Sequence, residues 1–216
     1  MTDKFTLDAE ALATIAQRTE FGRPELEGIA TAARSLSQIA NADNGNSTQH
    51  AQRVSAAAQK FQQHVRRMSD SLAEREAGGL ASLGQARKER LRLETDKAFL
   101  PIVTAFQTAD SKARLAMLGQ AVENGDGRAL AALMEVPHYV HGIDPTILSK
   151  HMDAAEERHA PDLWERRQRF EHDRQAVKSA LSLAQGLATK AVDLPSLEAA
   201  NAADAAEAEL ARVTTA

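Results

Sequence analysis

TQHAQRVSAAAQKFQQHVRRMSDSLAEREA, residues 48–77, is the stretch on which the fold turns. Its apolar positions Ala51, Val54, Ala58, Phe61, Val65, Met68 and Leu72 recur at alternating intervals of three and four. That interval keeps one narrow stripe of an α-helix against a partner helix, whereas a strand needs alternation by two. The segment just before it carries the same signal. Leu26, Ile29, Ala33, Leu36 and Ala40 are spaced 3, 4, 3, 4, and the turn-rich ANADNGNST separates the two stripes. Two seams joined by a short polar loop predict an antiparallel helical hairpin, with Leu26, Ile29, Leu36, Val54, Phe61, Val65, Met68 and Leu72 as its packing seam.

Helix punctuation continues in both directions. Thr6 is placed to cap a first helix from Leu7 to Glu20, Gly22 suits the left-handed position after its last turn, and Pro24 opens the second helix. Downstream, Gly78 and Gly79 are expected to interrupt the long helix, after which a helical pattern resumes that Pro101 kinks without ending. Asp110 caps a helix through Val122, ENGDG stops it, and a short helix covers Arg128 to Met134. Asp144 with Pro145 starts a helix to His159, and Pro161 starts one to Lys190. The expected fold is therefore all-α: an elongated antiparallel bundle of hairpins and long helices. Its regions are an N-terminal helical hairpin (1–77), a central bundle (80–190) and an acidic, alanine-rich C-terminal helix or tail (193–216).

Composition narrows the function. Hydrophobic residues make up 43% of 216, enough for a real core, but aromatics are only 4%, which suits thin helical packing better than a deep ligand pocket. Cysteine is absent, so disulfides, thiolate metal ligands and cysteine nucleophiles are excluded. No secretory signal pattern is seen at the N-terminus and no segment has the uninterrupted apolar length of a membrane span, so no membrane partner is expected. No phosphate-binding glycine loop, nucleophile elbow or dinucleotide fingerprint occurs. Charge is uneven: residues 53–114 sum to +5 and 193–216 to −4, within a total of −4. The basic groups Arg66 and Arg67, then Arg87 to Arg92, then Arg166 to Arg169 are interleaved with acids in the second and third cases. Intrahelical ion pairing is the expected use there, ahead of direct nucleic-acid binding.

EVPHYVHGIDP, residues 135–145, concentrates two histidines, the single tyrosine and two prolines. Pro137, Gly142, Asp144 and Pro145 each answer a backbone need: a stop, a permissive turn position, an N-cap and a first-turn proline. The expected arrangement is a corner between helices, with Tyr139 and Val140 over the bundle end and the imidazoles of His138 and His141 toward water. A docking role would make His138, Tyr139 and His141 a contact loop. Glu156 and His159 have the E-x-x-H spacing of carboxylate-bridged metal bundles, but the other such pair, Glu135 and His138, straddles Pro137. Neither a metal nor any other cofactor is expected, and no residue is assigned a catalytic role.

The stretch DSKARLAMLGQAVENGDGRALAALMEVPHYVHGIDPTILSKHMDAAEERHAPD, residues 110–162, resembles small helical proteins of tailed bacteriophages. The likeness lies in a helix ending at a Gly-Asp turn, an A-L…P…G corner, a new helix, and R-H-A-P before a long helix. It implies a virion structural or morphogenesis role and carries no functional residues with it. The expected protein is thus non-enzymatic. Its partners would be copies of itself or a larger virion ring or shell component, and its place the virion, or the host cytoplasm during assembly. The alternative is a bacterial cytosolic helical adaptor or regulator that binds a partner protein.

Overall fold

The computed structural model describes residues 4–42, 47–94 and 99–191, together with Ala202 and Ala205. Nine helices account for 89% of those residues, and no strand occurs among them. The chain divides into two compact units, one built from 1–76 with 172–216 and the other from 77–171. The sequence pattern marks 1–77 and 80–190 as separate regions. The second half of the last helix, however, belongs with the N-terminal hairpin and not with the 80–190 region. Apart from two alanines, the 193–216 segment lies outside the described residues.

Unit 1 contains α1 (Lys4–Arg18), α2 (Arg23–Asn41), and the parts of α3 (Ser47–Arg90) and α9 (Pro161–Ala191) within its bounds. Leu26, Ile29, Leu36, Val54, Phe61, Val65 and Leu72 are all buried in one core, and Met68 is half-buried against it. The helix that completes this core is α9, through Val177, Ala180, Ala184, Leu187 and Ala191. These residues are spaced 3, 4, 3, 4, the same rule as in α2 and α3. Alanines with no exposed surface at 33, 58, 180, 184 and 188 let the backbones approach while the leucines and Phe61 fill the gaps.

The α1–α2 turn is held by a side chain far along the chain. The backbone N–H groups of Glu20 and Phe21 both donate to Asp173 Oδ2 at 2.9 Å, and Asp173 is buried. Gly22 follows in the left-handed conformation (φ 73°), where a Cβ would also meet Leu72 Cδ2 at 2.3 Å. On the other side of α2, Glu25 accepts from Arg75 Nη1 at 2.7 Å and from Ser71 Oγ at 3.2 Å. Thr6 does not cap α1, which already begins at Lys4; its hydroxyl lies 3.3 Å from Ser37 Oγ across the hairpin.

Unit 2 contains the remainder of α3 and α9 with α4 (Phe99–Thr108), α5 (Ser111–Asn124), α6 (Gly127–Glu135), α7 (His138–His141) and α8 (Pro145–His159). Gly78 and Gly79 do not interrupt α3. The Phe170 ring sits 2.7 Å from where a Cβ on Gly79 would be, so a glycine there admits a close aromatic contact within a continuing helix. The interruption comes at Leu91–Glu94 instead, so Pro101 does not kink a continuing helix but lies in the first turn of α4, where a proline is tolerated. Leu93 N–H donates to Lys88 O at 2.8 Å and Arg92 N–H to Glu89 O at 3.2 Å, the paired bonds of a Schellman cap, with Arg92 at φ 51° in the position glycine usually takes. Gly127 opens α6 directly against this cap: a Cβ on it would lie 1.8 Å from Leu91 O.

The core of unit 2 gathers Phe106, Leu118, Leu130, Leu133, Ile143 and Met152. Helix entry follows local chemistry. Asp110, Asp126 and Asp144 each accept a backbone N–H of the helix they precede, from Ala113, Ala129 and Thr146 respectively, at 2.8–3.0 Å. No helix among the described residues is long and apolar enough to cross a membrane.

Candidate contact corner and buried charge cluster

Between α6 and α8 the chain turns through the 135–145 stretch. Pro137 (φ −58°, ψ 144°) ends α6, and α7 is a single helical turn. Gly142 follows at φ 68°, its N–H donating to His138 O at 2.7 Å. Arg114 of α5 fastens the corner from below. Its Nε donates to Phe106 O at 2.8 Å and its Nη1 to Gly142 O at 3.4 Å, so one guanidinium joins the end of α4 to the α7–α8 turn.

The expected orientation of the aromatic and imidazole side chains is reversed at two positions. Tyr139 does not cover the bundle end but is 77% exposed, and His141 does not face water but is 1% exposed. Helical geometry explains the exchange. A single turn closed by Pro137 and Gly142 can put only one face toward the core, and that face carries position 141, whose ring Nδ1 accepts the Ile143 N–H at 3.2 Å. His141 therefore does not belong to a contact loop. His138 and Tyr139 are exposed, their rings edge to face at 6.0 Å, and Met134 beside them is 52% exposed.

Burial, then the charge of His138, hold His141 below its ordinary pKa of 6.5, and Arg114 adds to this, while hydrogen bonds to the Leu133 and Val136 backbone oppose it. An unfolded chain takes up that proton near pH 6.5, before the folded one does. The contribution is complete above that pH and is lost as pH falls from there toward the depressed folded value. The lowered carboxylates Glu25, Asp144 and Asp162 act in the same direction only nearer their ordinary 4.5 and 3.8. Melting temperature should therefore fall between about pH 7.5 and 5.5. His141→Gln should flatten that dependence, and His138→Gln should leave most of it. An equal slope in wild type and His141→Gln would refute the assignment.

The second feature was not foreseen. Glu156 of α8 has no exposed surface, and its Oε2 lies 3.0 Å from Arg87 Nε and 3.1 Å from Arg167 Nε. One turn earlier, Asp153 Oδ1 accepts from Arg87 Nη2 at 3.0 Å and from Arg167 Nη2 at 2.6 Å. Trp164 stacks on the Arg167 guanidinium, whose Cζ lies 4.8 Å from the ring centroid. Two guanidinium and two carboxylate groups thus cancel one another across α3, α8 and α9. Arg87 and Arg167 pair between helices, where pairing within helices was expected. The contact of Arg87 Nε with Glu156 Oε2 is an ion pair without the alignment of a hydrogen bond.

This arrangement also disposes of the E-x-x-H pair. Glu156 is occupied by the two arginines, and the His159 ring donates through Nε2 to Val122 O at 2.6 Å. No group of three or more His, Cys, Asp or Glu side chains among the described residues could hold a metal ion. No family model matches the chain, and no curated protein or solved structure does either.

Proposed function

We propose that this chain is a non-enzymatic helical assembly protein, a structural or morphogenesis component of a tailed-phage particle. It would act through helix packing between copies or against a larger ring or shell. The observation that carries the assembly reading is where the polar chemistry goes. Arg87, Arg167, Glu156, Asp173 and Arg114 are all spent tying one helix to another, while a rigid corner presents Met134, His138 and Tyr139 to solvent. An exposed aromatic on a turn fixed by Pro137, Gly142 and Arg114 is suited to docking, because it loses little freedom on binding. The phage assignment rests on the 110–162 resemblance.

Mass spectrometry of purified virions, together with the solution mass of the isolated protein, tests the proposal. The expected result is the chain in the particle at many copies, with Tyr139→Ala reducing its incorporation. A stable monomer absent from virions would instead favour an adaptor that binds a bacterial partner protein.

A further inference from the structure

We propose that the groove between α2 and α3 in unit 1 receives an acidic amphipathic helix of a partner protein. The groove is an open depression of about 290 Å³. Ala32, Leu36, Ile39, Ala57 and Phe61 give it an apolar floor, in which Ile39 is 38% exposed. Such a floor admits the small or branched side chains that one face of a helix offers at intervals of three and four.

Charge selects the partner. Between Asp43 and Asp70 the sequence contains no acidic residue, and within that interval α3 carries Arg53, Lys60, Arg66 and Arg67. All four are exposed and make no ion pair or hydrogen bond among the described residues. Arg53, Lys60 and Arg67 stand at intervals of seven, so they form one row along the helix, with a rise of about 10 Å between neighbours and about 21 Å in all. Lys60 lines the groove itself. From α2 the only polar side chain lining the groove is Ser35, so among the described residues no carboxylate lines the groove beside the row. Three other cations of unit 1 are instead paired: Arg75 with Glu25, Arg174 with Glu76 and Lys190 with Asp8.

A row of that length matches about four turns of a helix bearing Glu or Asp beside its apolar stripe. A nucleic-acid backbone could meet the cations but would leave the apolar floor uncovered, and Phe61 is too buried to stack on a base. The occupant favoured by floor and rim together is therefore a protein helix. The inference does not depend on the phage assignment.

The test uses the full chain and three labelled probes in fluorescence anisotropy. One is a helix of about 18 residues with a Leu/Ala stripe flanked by Glu at seven-residue spacing, the second is the same helix with Lys for Glu, and the third is a short DNA duplex. The expected result is binding of the acidic helix only, weakened by about tenfold or more between roughly 50 and 500 mM salt. It should be weakened comparably in Arg53→Glu/Lys60→Glu/Arg67→Glu and in Ile39→Glu. These substitutions are at exposed positions, and circular dichroism checks that the fold is retained. Failure of the acidic helix to bind, binding indifferent to either variant, or DNA binding that survives Ile39→Glu but not the charge reversal would each overturn the proposal.

Discussion

Glu156→Ala is expected to destabilise unit 2 by about 3–5 kcal/mol, because removing one partner of a buried charge cluster leaves the others without compensation. Arg87 and Arg167 would then share only Asp153, which is partly exposed, around a site from which Glu156 excluded water. Hydrogen exchange locates the effect: protection should fall across 77–171, while the amides of α1 and α2 keep theirs. Replacing Arg87, Glu156 and Arg167 together by Met should recover much of the loss, since the desolvation of these groups offsets most of their attraction. A loss below about 1 kcal/mol in the single variant would mean that water reaches the cluster.

Phe61→Ala is the second large effect, at about 3–5 kcal/mol in unit 1, from the lost transfer energy and the cavity left behind. Phe61 is 3% exposed, and half of the other buried residues of its core are alanines, which have no side chain long enough to move into the space. Chemical denaturation of the variant measures the loss. A change under about 1 kcal/mol would show that this face is not covered in solution.

The features legible in the sequence are those encoded locally. Asp110, Asp144, Pro145 and Pro161 do at helix starts what their side chains or rings do in any chain, and Gly22, Gly125 and Gly142 do the same at turns. The seams of α2 and α3 were readable because a period is visible without knowing the partner. The α9 seam has the identical period at 177, 180, 184, 187 and 191, but nothing local assigns it to the N-terminal hairpin in preference to its own neighbours. Gly79 looked like a stop because its cost in a helix is local, while the Phe170 ring that explains it comes from another helix. The charge cluster was hidden for the same reason. Arg87, Glu156 and Arg167 each have nearer opposite charges in sequence, and only the fold decides that they meet. At the corner, the turn was legible but the facing of a single helical turn was not, so Tyr139 and His141 exchanged roles.

Unit 1 is discontinuous in the chain, and this sets an order of events on the ribosome. The sequence of 77–171 is complete before the α9 residues of unit 1 exist, so the inner unit can close while the outer one waits. At about 5–20 residues per second, synthesis of the intervening stretch takes on the order of 5–20 seconds. Throughout that interval the seam of α1, α2 and α3 lacks the helix that covers it, and its leucines are available to a chaperone or to the same seam of a neighbouring nascent chain. Asp173 is among the first residues of unit 1 to follow. The α1–α2 turn, made among the earliest, obtains the carboxylate that accepts its two amide protons only after most of the protein has been built.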